Sequence, residues 1–125
     1  MKLEFLKEGS QHCPLIRLYE FDQAEVAELR WLVRSLAAGS IQSVRLDNQA
    51  WVTAIHGCRL VLKRNTWDEG IRNVGHLKFE CLLTADRWRN VEGLLERFCE
   101  PAVIGYQWLS ESGPVRLLIS PDGTW

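Results

Sequence analysis

Val26, Leu29, Leu32, Val33 and Leu36 recur at the spacing of one helical face, which predicts an amphipathic helix from about Gln23 to Ala38. Asp22, with Glu25 three residues later, has the pattern of a capping box, and Gly39 is the natural stop. A second stripe of Trp88, Val91, Leu94, Leu95 and Phe98 predicts another helix, capped by Thr84 and halted before Pro101.

Elsewhere the period drops towards two. Leu3 and Phe5 alternate before Gly9-Ser10, and Leu15 to Phe21 is apolar on both sides, as in an interior strand. Between the helices, Val44 and Leu46, then Trp51 to Ile55, then Cys58, Leu60 and Leu62, then Ile71 to Val74, and finally Leu77, Phe79, Cys81 and Leu83 read as short strands divided by turns. Tyr106, Trp108 and Leu109 face Val115 to Ile119 across Ser112-Gly113-Pro114, a closing hairpin. The expected order is ββα, about four strands, then αββ. Short connections imply a largely antiparallel sheet of about six to eight strands, with both helices packed on it. This is an α+β fold in one domain, residues 1–125, without an internal repeat.

Composition narrows the classes. Apolar residues are 46% and charged residues 25%, values ordinary for a globular chain with a core. The net charge is −1, and the densest basic pair, Arg87 and Arg89, is followed by Glu92 and Glu96; this argues against nucleic acid as the main partner. Charges interrupt the apolar residues of the N-terminus, and no run is long enough to span a bilayer, so the expectation is a cytoplasmic protein without a membrane partner. Eleven arginines against four lysines point to a GC-rich bacterial genome.

Signatures of catalysis are missing. There is no GxGxxG, GxxxxGK[ST], GxSxG or HExxH, and the four cysteines form no CxxC pair, so free thiols are expected and no cofactor or metal is assigned. His12–Cys13, His56–Cys58 and His76–Cys81 are neighbours in sequence. Of these, His56, Cys58 and His76 are the candidate polar groups of a tryptophan-lined pocket between sheet and helices, the small-molecule or enzyme reading.

The tryptophans carry the other reading. Trp88 and Trp108 fall in elements with apolar partners and are expected in the core. Trp67 sits in a predicted loop and Trp125 closes the chain; both could fold back as lids. Trp31 projects from the side of the first helix opposite its apolar stripe, among Ala24, Ala27 and Ala38, with Arg34 beside them. Either a second layer of the chain covers that face or it meets a partner. The function expected is a protein-interaction or self-associating module, with Trp31, Ala27, Ala24, Arg34 and Trp67 as candidate contact residues.

Overall fold

The structure is a computed structural model that describes residues 1–125. Nine strands and two α-helices follow in the order β1 (Lys2–Leu6), β2 (Leu15–Tyr19), α1 (Gln23–Ala38), β3 (Ser43–Arg45), β4 (Thr53–Ala54), β5 (Arg59–Arg64), β6 (Gly70–Gly75), β7 (Lys78–Leu83), α2 (Ala85–Leu95), β8 (Gln107–Ser110) and β9 (Arg116–Ser120). No helix is long and apolar enough to cross a membrane.

The expected single sheet is two sheets. One has five strands in the order β4-β1-β2-β9-β8, and the other has four in the order β3-β5-β7-β6. Neither is purely antiparallel. The pairs β1–β2, β3–β5, β6–β7 and β8–β9 are antiparallel, but β2–β9, β5–β7 and β1–β4 are parallel. The two central parallel pairs arise differently: β2 and β9 come together from about a hundred residues apart, whereas β5 and β7 are separated only by β6, which takes the outer edge beside β7. Between β5 and β6 there is therefore no hairpin: β7 inserts between them.

That arrangement also corrects the expectation of no repeat. Setting aside the two-residue β4, the chain is ββαββ twice: β1-β2-α1-β3-β5 and β6-β7-α2-β8-β9. Each sheet joins the leading hairpin of one half to the trailing hairpin of the other. The two central parallel pairs match: Ile16 lies opposite Leu117 and Leu18 opposite Ile119, as Phe79 lies opposite Leu60 and Cys81 opposite Leu62. All eight are buried.

The helices share this register. Val26, Leu29, Leu32, Val33 and Leu36 fall four, seven, ten, eleven and fourteen residues past the N-cap Asp22, and Trp88, Val91, Leu94, Leu95 and Phe98 fall at the same distances past the N-cap Thr84. The capping box is present: the Glu25 N–H donates to Asp22 Oδ1 at 2.8 Å, and the Asp22 N–H donates to Glu25 Oε1 at 3.0 Å. Gly39 ends α1 at φ 79°, where a Cβ would collide with the Arg64 guanidinium.

Both helices and both sheets feed one cluster of 26 buried residues. Trp88 is 1% exposed in it, and its indole N–H donates to the Lys63 carbonyl at 2.9 Å, so the polar edge of the ring is satisfied. Trp108 is not part of that core. It is half-buried outside the cluster, 5.5 Å from the His12 ring and 6.2 Å from Tyr106, with Arg116 over its face.

The far face of the five-stranded sheet is also covered, which is why β2 is apolar on both sides. Arg17 stacks 4.1 Å from the Tyr19 ring, donates to Glu4 at 2.6 Å and reaches the Gly123 carbonyl at 2.7 Å. The Trp125 indole donates to Ser10 Oγ and its ring lies 6.0 Å from the Arg17 guanidinium, so the last residue does fold back over this face.

Candidate functional site

α1 presents two faces of different character. Its stripe of Val26, Leu29, Leu32, Val33 and Leu36 is buried, while Ala24, Ala27, Trp31, Arg34 and Ala38 are exposed along the opposite side. Trp31 is 59% exposed, so no second layer of this chain covers it. Hydrating an indole is unfavourable by roughly 25 cal/mol for each Å² of apolar area left in water. The side chain nevertheless stands on a well-tied scaffold. The Ser35 hydroxyl donates to the Trp31 carbonyl at 2.9 Å. Next to it, Arg30 Nε and Arg34 Nη2 donate to one oxygen of Glu92 at 2.6 and 2.8 Å, which fixes α1 against α2.

Glu92 is thereby a shared acceptor. Its carboxyl is held below the usual glutamate value, first by Arg34 and then by Arg30, against the opposing effect of burial. Arg34 remains the more exposed of the two arginines, so it lies at the rim of the Trp31 face with N–H groups to spare. Trp67 is 71% exposed, but on the β5–β6 loop rather than on α1. Its neighbours have local structural tasks: Asp68 accepts from both the N–H and the hydroxyl of Thr84 at 2.9 Å, anchoring the cap of α2.

The residues proposed for a pocket do not converge. Cys58 is fully buried in the core cluster, whereas His56 and His76 are exposed on separate turns. Burial pushes the Cys58 thiol up to about 11 and that of Cys81 up to about 12, the opposite of what an activated nucleophile needs. No three side chains of His, Cys, Asp and Glu gather in a geometry for a metal ion. Nor does a tryptophan-lined pocket separate the sheets from the helices. The space there, beside Trp88 and Leu18, is about 10 Å³ with wholly apolar walls, no more than one water would fill. Of the three residues only His76 borders a sizeable cavity, a groove of about 600 Å³ at the seam between the two sheets. Sequence reasoning missed that groove because its walls come from strands that are far apart in the chain.

Comparison of the chain with protein-family models, with curated proteins and with solved structures finds no match.

Proposed function

We propose that the outer face of α1 is an interaction surface and that its occupant is a second copy of this chain. The observation that carries the reading is the position of Trp31: a large apolar ring, uncovered, in the middle of a rigid helix, flanked along its own seam by alanines. The seam is self-complementary. A two-fold axis through Trp31 that sets two α1 helices antiparallel brings indole against indole and puts Ala24 of one copy near Ala38 of the other. Small side chains at both ends let the backbones approach, and the ring fills the centre, where binding energy concentrates in most interfaces. Arg34 supplies the polar rim.

The test is sedimentation velocity across a range of concentrations, on the intact chain and on two variants, Trp31→Ala and Ala27→Glu. Both changes lie on the exposed face and keep helix propensity, so the circular-dichroism spectrum of the fold is expected to persist. The expected result is a dimer for the parent chain and a monomer for each variant. A parent chain that is monomeric throughout, or a dimer that survives both substitutions, overturns the reading.

A further inference from the structure

A different feature carries a second binding site. At the seam where β1 and β2 of one sheet approach β6 and β7 of the other, the sheets diverge and leave the groove of about 600 Å³. Its floor is apolar and preformed: the Phe5 and Phe79 rings lie 4.6 Å apart, with Val115 buried beside them. The far wall is held by backbone. The Leu77 carbonyl accepts from the Arg59 N–H at 2.8 Å, and Asn73 Oδ1 accepts from the Gly75 N–H at 3.0 Å, which together fix the β6–β7 hairpin.

The rim has one sign of charge. Lys7 and His76 are its titratable residues, and no carboxylate lines the groove. Lys7 is also free. Of the chain's four lysines, Lys2 pairs with Glu20 and Lys63 with Glu80, whereas Lys7 and Lys78 form no ion pair, and of these two only Lys7 lines the groove. His76, exposed at the mouth, makes no hydrogen bond through its ring. An aromatic floor under an uncompensated ammonium and an imidazole is the complement of a molecule with an apolar body and an anionic head. The volume falls within the range of small-molecule pockets, and the concavity suits an occupant of about that size rather than a flat protein surface.

We propose that this groove binds a small amphipathic carboxylate, with its chain over Phe5 and Phe79 and its head between Lys7 and His76. The site is independent of the α1 face.

The experiment is a ¹H–¹⁵N titration of the intact protein with decanoate, decan-1-ol and decyltrimethylammonium, repeated on the Lys7→Ala/His76→Ala double variant. Both residues are exposed, so the double variant keeps the fold. Decanoate is expected to shift the amides of Leu77, Phe79 and Val115 and to bind more tightly than the alcohol, and the cation is expected not to bind. In the double variant decanoate should weaken by about tenfold or more, the effect of losing a charge-assisted contact, while the alcohol is unchanged. Equal binding of all three amphiphiles, shifts centred on other residues, or no decanoate binding overturns the proposal.

Discussion

Arg30 and Glu92 stand at the same place in the two halves of the chain, eight residues past the N-caps Asp22 and Thr84, and they bond to each other at 2.6 Å. The helices therefore touch at the same level of each. What differs is the charge. A second acceptor-bound arginine, Arg34, reaches Glu92 from one turn further along α1, so a single carboxylate joins two cations across the helix pair.

The two arginines should not contribute equally. The side chain of Arg30 is 26% exposed and that of Arg34 is 60% exposed, while Glu92 is 18% exposed. Arg34 lowers the Glu92 carboxyl more than Arg30 does, but screening and side-chain entropy at its exposed head weaken the outer pair more in its contribution to stability. Double-mutant cycles with alanine, followed by urea unfolding, should give a coupling of about 0.5–1 kcal/mol for Arg30–Glu92 and less than half of that for Arg34–Glu92. A larger coupling for Arg34 would show that burial does not govern this pair.

The same carboxylate makes stability depend on pH. Arg34 and Arg30 hold the Glu92 carboxyl below 4.5, and Lys63 and Arg72 do the same for Glu80 between β7 and its neighbours. In the unfolded chain both return to ordinary values. A group with a depressed folded value stabilises above its unfolded value and ceases to do so as pH falls through the folded one. The unfolding free energy should therefore hold near neutrality and decline below about pH 4.5. Glu92→Gln should cost about 1 kcal/mol at pH 7 and flatten the acid decline, because the glutamine cannot take up the proton. Parallel acid curves for parent and variant would exclude Glu92 as a source of the decline.

The thiols divide by environment. Cys58 and Cys81 are buried, and desolvation holds them protonated at values of about 11 and 12. Cys13 and Cys99 are half-buried. At pH 8 a thiol with the value of Cys58 is ionised only to about one part in a thousand, and reagent must also reach it. An aromatic disulfide reagent at pH 8 should thus label Cys13 and Cys99 in the native protein and all four only after denaturation. Rapid labelling of Cys58 would mean that the core opens at β5.

Most local structure was legible because it is set by short-range chemistry. The Asp22–Glu25 box, the Gly39 stop, the Thr84 cap and the two buried stripes follow from residues within a turn or two of each other. The side of α1 that Trp31 takes was legible for the same reason, since helical period decides it, but whether another layer of the chain covers that side was not. The twofold plan was hidden, although its pattern of apolar positions is regular. Matched sites conserve burial but not volume: Val26 stands where the other half has Trp88, and Leu18 where it has Cys81. Helix lengths also differ, 16 residues against 11. The parallel pairing of β2 with β9 depends on contacts across a hundred residues, for which no local pattern exists. The core tryptophan Trp88 and the misassigned Trp108 show the limit well. Both sit in apolar surroundings by sequence, but in β8, whose pairing with β9 shifts register between Trp108 and Ser110, it is Leu109 and not Trp108 that enters the core.

Where the two sheets meet, glycine allows a contact that no other residue would. Gly70 opens β6 at φ 75°, and a Cβ there would lie 2.0 Å from the Ser112 carbonyl oxygen. Facing it, Gly113 has φ 79°, and its Cβ would lie 2.5 Å from the Glu69 carbonyl oxygen. The bridge between Ile71 and Val115 follows directly, and Val115 is part of the groove floor. Gly70→Ala should thus impose left-handed strain and a backbone collision together, costing about 2–4 kcal/mol in unfolding free energy. Gly57→Ala is the control: that glycine has nearly the same φ, 71°, but nothing lies within 4 Å of its Cβ position, so only the strain is incurred, about 1 kcal/mol. Urea unfolding of the two variants separates the effects. If Gly70→Ala costs no more than Gly57→Ala, the seam is loose enough to part, and the groove cannot have the fixed floor that the close approach of these backbones gives it.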